Sequence, residues 1–220
     1  NMPSKISYVD VYFIPNFQKS LEMGSLKGSI TVDKMTFNQD YMKDITNDES
    51  SNSMAWNDIA LLRLKTDAPA NFKVAKIPTG DEITKLSSQD TVVLSGYGVS
   101  TAIVNKEVVN PKTGRSQIVD VPEKIQSSGI LRKIENIPVI EVTSDNKEII
   151  LDQNNSTGAC HGDSGGPAFI KQADGSLLQV GVTSRGTNEL GNCNEKAIYT
   201  NVSAYASWIT MNSNFLLSIK

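Results

Sequence analysis

The stretch that most constrains this chain is Gly158-Ala159-Cys160-His161-Gly162-Asp163-Ser164-Gly165-Gly166-Pro167. Glycines on both sides of Ser164 let the backbone take tight or left-handed geometry and let another chain approach closely. A turn of this kind can aim consecutive backbone N–H groups at one point. A tetrahedral acyl intermediate needs such a point, because its charge gathers on one oxygen. A glycine-flanked serine is also a common surface turn, so its meaning depends on the rest of the chain.

That chain has 220 residues, room for one large domain or two small ones. Hydrophobic content of 39% and charged content of 20% suit a soluble globular protein. A net charge of -3 points to neither nucleic acid nor an anionic membrane as partner. No apolar run reaches the roughly 18 residues that cross a bilayer. The opening Asn1–Phe13 lacks the basic head and apolar core of a signal peptide. The two cysteines, Cys160 and Cys193, allow one bridge or two free buried thiols. With a single histidine, His161, they cannot supply the four ligands of a zinc site at any usual spacing.

Short β-type runs dominate. Val9, Val11 and Phe13 alternate with other residues as in a half-buried strand, and Ile30, Val32 and Met35 suggest a second. Tyr41 to Met54 is polar and acidic and reads as an exposed loop, while Ile59 to Leu64 reads as a buried strand interrupted only by Arg63. Lys65 to Asp81, with Pro69, Pro78 and Gly80, looks like a connection between two halves. A second set of strands begins at Val92–Leu94 and continues through Ile130-Leu131, Ile134 and Ile137–Val142. Between them lies a polar insertion, Thr101 to Ser128, with a turn at Asn110–Arg115. Leu177–Val182 follows an Asp174-Gly175 hairpin turn. Only the end looks helical, with Ser203 able to cap and Tyr205, Trp208, Ile209 and Phe215–Leu217 forming an apolar stripe. This pattern argues for an all-β barrel or sandwich.

A serine nucleophile needs a base within hydrogen-bond reach, and the base needs a carboxylate to orient it. The candidate acid is Asp58, in Asn57-Asp58-Ile59-Ala60-Leu61-Leu62-Arg63-Leu64. A lone carboxylate beside a buried strand is costly, although a turn or cap aspartate is the ordinary alternative. Together, Gly162-Asp163-Ser164-Gly165-Gly166-Pro167 and Asp58-Ile59-Ala60-Leu61-Leu62 resemble the nucleophile and acid motifs of the chymotrypsin/trypsin family of serine endopeptidases. Ser95-Gly96-Tyr97-Gly98 resembles that family's Gly-Trp-Gly segment, with Tyr97 for tryptophan. Val182-Thr183-Ser184-Arg185-Gly186 resembles its substrate-backbone strand, with Arg185 where an aromatic is usual. Ile198–Val202 and Trp208-Ile209 match the final strand and helix. The resemblance runs from about residue 6 to the end.

It implies an all-β fold of two six-stranded antiparallel β-barrels, the first incomplete, with a C-terminal α-helix. Residues 1–80 would be the remainder of the N-terminal barrel. Residues 81–220 would be the C-terminal barrel and helix, together one peptidase domain. Ser164 becomes the nucleophile, Asp58 the triad acid, and the N–H groups of Gly162 and Ser164 the oxyanion hole. Asp163 resembles the aspartate that receives a freshly cleaved N-terminal amine, with a solvated turn carboxylate as its plainer reading. Cys160 and Cys193 fall where the family clamps its specificity pocket with a disulfide, which implies an oxidising, secreted or periplasmic setting. Gly158 would lie at the pocket base, Ser184 along the substrate, and Gly186 and Ala197 at the walls. An uncharged pocket taking medium or large apolar side chains follows, with Glu189 or Glu195 able to reach its rim. Neither a metal nor an organic cofactor is implied, and the expected partner is a peptide or protein substrate.

The family's base is absent from its expected place. About 45 residues separate base and acid in the triad template, and counting back from Asp58 reaches Phe13. His161 matches a rim position of the pocket instead. Ser7–Phe13 resembles the strand after the base, and Pro15–Lys27 looks like a lengthened loop, so the base is expected upstream of Asn1. The chain's own N-terminal segment, as a separate piece, is then a possible partner. The rival expectation is a protease-like module without activity that binds or regulates, using the cleft or the insertion from Thr101 to Ser128.

Overall fold

A computed structural model describes residues 8–41, 56–78, 86–101, 103–122, 127–155, 157–187 and 193–219. Three strands of the first half pair antiparallel: β1 (Asp10–Val11), β2 (Ile30–Phe37) and β3 (Ala60–Leu64). Among the described residues this sheet does not close. Six strands of the second half do close: β4 (Thr91–Gly96), β7 (Arg132–Val142), β8 (Glu148–Asp152), β9 (Pro167–Lys171), β10 (Leu177–Gly186) and β11 (Lys196–Asn201). Their order around the barrel is β10-β11-β8-β7-β4-β9. Between β4 and β7 in sequence, β5 (Ile103–Val109) and β6 (Ser116–Pro122) form a separate two-stranded hairpin. The chain ends in a 3₁₀ turn (Val202–Tyr205) and helix α2 (Ala206–Ser218).

Strand alternation explains the barrel core. Inward residues recur every second position, so Ile149 and Leu151 of β8 point inside and are wholly buried. They meet Val92 and Leu94 of β4, Val139 of β7, Val180 of β10 and Tyr199 of β11. A second cluster joins the halves: Ile59 packs with Val202, Tyr205 and Ile209, flanked by Leu61, Val182 and Trp208. The expected Arg63 interruption has a role of its own. Its guanidinium pairs with Asp33 of β2 and donates to the carbonyls of Leu216 and Ile219, where α2 has no further turn to donate to them.

Several local expectations change. Within Pro15–Lys27 the structure has a short helix, α1 (Phe17–Glu22), started by Asn16, whose side chain accepts the Lys19 N–H. A six-residue helix carries too little periodicity to be read in advance. The first strand shrinks to Asp10–Val11. The insertion keeps its Asn110–Arg115 turn, but its flanks are the strands of a hairpin rather than loop. The strand read as buried, β3, leaves Leu62 about half exposed, as are Met35 and Phe37 of β2, because no described strand covers that face. Asn201, not Ser203, caps the 3₁₀ turn by accepting the Ser203 N–H. In α2, Ile209 and Leu216 are buried, while Phe215 and Leu217 are exposed. The Tyr41–Met54 loop lies almost wholly outside the described residues.

Truncating Leu151, which is 0% exposed, to alanine should cost about 2–5 kcal/mol. Truncating Met211, 65% exposed, should change little. Urea unfolding of both variants checks the pair.

Candidate active site

The Ser164 turn is built by glycine conformations and by one carboxylate. Gly162 and Gly165 take φ of +95° and +80°, values that side chains with a Cβ resist. The Asp163 N–H bonds the Cys160 carbonyl at 3.0 Å, and the Gly166 N–H bonds the Asp163 carbonyl at 2.8 Å. The Gly165 N–H reaches the Thr183 carbonyl of β10 at 2.9 Å, and the Thr183 N–H answers to Gly166 at 2.8 Å. These bonds fix the turn against β10. The N–H groups of Gly162 and Ser164 take no part in a hydrogen bond among the described residues. Both residues are exposed.

Asp163 points away from the turn. Its carboxylate accepts the Gly98 N–H at 2.7 Å and the Cys160 N–H at 2.9 Å. It fits because Gly96 and Gly98 have no side chains: a Cβ on Gly96 would fall 2.0 Å from Oδ1, and one on Gly98 would fall 2.5 Å from Oδ2. This explains both glycines of Ser95-Gly96-Tyr97-Gly98. Asp163 lines a cavity of about 480 Å³ with Gly98, Arg132 and Tyr199 among its walls. Burial, with the Asp163 charge adding to it, pushes the Tyr199 phenol well above its ordinary pKa. Tyr97 hydrogen-bonds the Ile14 carbonyl at 2.6 Å, tying this cavity's edge to the first half.

Asp58 is set by its neighbour. Asn57 is buried and takes a left-handed φ of 59°, a conformation asparagine tolerates better than most residues. Its side chain accepts the Tyr205 hydroxyl at 2.8 Å and donates to the Asp40 carbonyl at 3.1 Å. Asp58, thus turned, accepts the Ser184 hydroxyl at 2.8 Å, while its own carbonyl accepts the Thr200 hydroxyl at 2.8 Å. Both donors belong to the barrel, so the acid from the first half is bonded into the second.

A second cavity, about 260 Å³, brings most of the expected residues together. Ser164, Ser184, Gly186 and Ala197 line it, as do Cys160 and Cys193. The cysteines are bridged, with Cα atoms 5.3 Å apart. Gly186 and Ala197 face one another across β10 and β11. His161 is exposed on the same cavity. Its ring lies within 4.8 Å of both cysteine sulfurs, which the bridge commits, so the trio offers no thiolate to a metal. Gly158 lines the larger cavity instead. Of the polar residues on the smaller cavity, sequence reading missed Lys196 and the buried Gln153. The signal for Gln153 was present: it continues the inward register of Ile149 and Leu151 with a polar residue. Glu195 receives the Thr187 hydroxyl at 3.2 Å, and Glu189 lies outside the described residues. Arg185 forms a bidentate pair with Glu148, at 2.8 and 3.1 Å.

A closed antiparallel barrel packed against a second sheet, with a glycine-flanked serine beside the joint, defines the class of trypsin-like serine proteases. Residues 19–209 match the family model described as Trypsin, and the chain belongs to that family. It is 32% identical over 176 residues to fibrinolytic enzyme, isozyme C, of Lumbricus rubellus, covering 71% of this chain and 62% of that protein. It is 28% identical over 158 residues to CLIP domain-containing serine protease B15 of Anopheles gambiae, covering 70% of this chain and 40% of that protein. Human kallikrein-8 is 28% identical over 153 residues, covering 70% and 52%. The matches thus span 40 to 62% of these relatives' lengths. The solved structure of HL collagenase shares the fold, with a TM-score of 0.62 at 18% identity over 97% of this chain and 78% of that one.

Breaking the bridge should loosen the cavity wall. Replacing Cys160 and Cys193 by alanine should cost about 2–4 kcal/mol. Calorimetric melting, with a reductant-treated wild type as comparison, measures it.

Proposed function

We propose that this chain carries the nucleophile and the acid of a serine endopeptidase. The observation that carries the reading is Ser184: it lines the cavity beside Ser164 and donates its hydroxyl to Asp58. A half-buried carboxylate bonded to a hydroxyl on the cavity that Ser164 lines supports a role in orienting an imidazole between itself and the serine. In the proposed reaction the Ser164 oxygen attacks the scissile carbonyl carbon while its proton passes to that imidazole. The carbonyl oxygen takes the negative charge and is met by the N–H groups of Gly162 and Ser164. The intermediate then collapses, the peptide C–N bond breaks, and the leaving amine takes the proton. Water hydrolyses the acyl-serine by the same steps in reverse order.

The imidazole comes from outside these 220 residues, since the sole histidine, His161, sits on the cavity rim. The half-exposed Met35, Phe37 and Leu62 of the open sheet support further strands from the same source. Asp163 is then the acceptor of an N-terminal amine entering the larger cavity, which would displace it from the Gly98 N–H. The disulfide fits secretion or a periplasm, and no described helix is long and apolar enough to cross a membrane. The missing histidine also favours a second reading, a protease-like binding or regulatory module.

A fluorophosphonate probe separates the two. The 220-residue chain alone should label at Ser164 negligibly. The same chain joined to its upstream segment should label rapidly, and Ser164→Ala should abolish labelling. In that active form Asp58→Asn should lower kcat by about 10⁴-fold. Rapid labelling of the isolated chain rules out an external base, and no labelling of the joined form favours the binding module.

A further inference from the structure

The family resemblance put Gly158 at the pocket base, yet Gly158 lines the larger cavity and it is Gln153 that lines the smaller one. Gln153 is 2% exposed, yet its side chain lines the cavity beside Ser164. Its Nε2 donates to the carbonyls of Ala159 and Cys193, each at 3.0 Å, and its Oε1 accepts the Ala159 N–H at 2.7 Å. These partners fix which end of the amide is nitrogen, because two carbonyls require donors and an N–H requires an acceptor. Both amide protons are therefore committed, and Oε1 keeps one lone pair. The carboxamide also occupies the space in front of Gly158: a Cβ there would fall 2.4 Å from Oε1 and 2.5 Å from Cδ. A side chain at 158 and a glutamine at 153 exclude each other.

Given the proposed endopeptidase, we infer that Gln153 is the specificity-determining residue of this cavity, restricting it to uncharged substrate side chains of short or medium length rather than the medium or large ones that the resemblance implied. Its NH₂ group holds the two backbone carbonyls that the head of a lysine or arginine would otherwise bond. The floor is thus filled from within by a neutral amide, so a long cationic side chain finds its space taken and only neutral, already bonded oxygens at its head, with no carboxylate among the described residues there to pair with its charge. The surrounding charge acts in the same direction. Among the described residues no carboxylate residue lines the cavity, whereas Lys196 does, and Arg185 beside it is balanced by Glu148. A plainer role, bracing the Ala159 and Cys193 segments, would affect stability but not the choice of ligand.

The test uses a readout that needs no catalysis. Binding of benzamidine, a cation, and benzamide, its neutral isostere, is measured by calorimetry on the full protein and on Gln153→Glu and Gln153→Met. Wild type should bind benzamide at least as well as benzamidine. Glutamate at 153 keeps the Ala159 N–H bond but withdraws both amide donors and adds a negative charge, which a cation then pairs with. Benzamidine should gain at least tenfold in Gln153→Glu relative to wild type, and not in Gln153→Met. Melting curves identify which variants fold. A wild type that prefers benzamidine overturns the inference even if neither variant folds, as does an unchanged benzamidine-to-benzamide ratio in a folded Gln153→Glu. On peptide libraries varied at the residue before the cut, the active form of Gln153→Glu should gain cleavage after lysine and arginine tenfold over wild type. If the probes bind as expected and no peptide is cut, the endopeptidase reading fails while the pocket assignment stands.

Discussion

The structure around Ser164 depends on where one carboxylate goes. Asp163 turns inward, and its two oxygens hold the N–H groups of Gly98 and Cys160. Hydrogen bonds to a charged acceptor are roughly twice as strong as neutral ones, and here they bind the loop after β4 to the turn before β9, its neighbour in the barrel. With Asp163 anchored, the Cys160 carbonyl accepts the Asp163 N–H, and the glycines on either side can open. The Gly162 and Ser164 N–H groups are left uncommitted among the described residues. The empty positions at Gly96 and Gly98 are the steric condition for this arrangement.

The other half of the site is held by a joint rather than by a turn. Asp58 belongs to the open sheet, but its side chain and its carbonyl are bonded to Ser184 and Thr200 of the barrel. Directly beneath, Ile59 packs against Val202, Tyr205 and Ile209. The C-terminal helix therefore acts as a strap, buried at Ile209 and fastened at its end by Arg63. Asn57 links these layers, since its left-handed turn aims Asp58 and its amide reaches Tyr205. Apolar burial supplies the adhesion, and the polar bonds decide the register in which the halves meet.

The strands of the barrel could be read in advance because Val92–Leu94, Ile137–Val142 and Leu177–Val182 alternate or run apolar in strand-length pieces, a pattern that suits barrel and sandwich alike; the barrel itself was implied only by the family resemblance. The two site motifs were picked out by their likeness to the family's nucleophile and acid strings, since by themselves a glycine-flanked serine and an aspartate before a strand also suit ordinary turns. Helix α1 and the hairpin of β5 and β6 were not legible. The first has six residues, too few to show a period, and the second lacks the strict apolar–polar alternation of a half-buried strand and forms a separate two-stranded sheet. Leu62 was read as buried because an apolar run gives no information about which neighbours are present to cover it.

The amino-acid sequence by itself determined the strand-rich class, the serine turn and the acid beside a strand, since these depend on local conformation and on patterns a few residues long. Only the tertiary structure decided that Ser184 bonds Asp58, that Cys160 and Cys193 line one cavity, and that Gln153 lines the cavity beside Ser164 while Gly158 lines the larger one. Ser184 and Asp58 are 126 residues apart. No local preference specifies such a meeting; it is fixed by which apolar faces can be buried together once the barrel has closed.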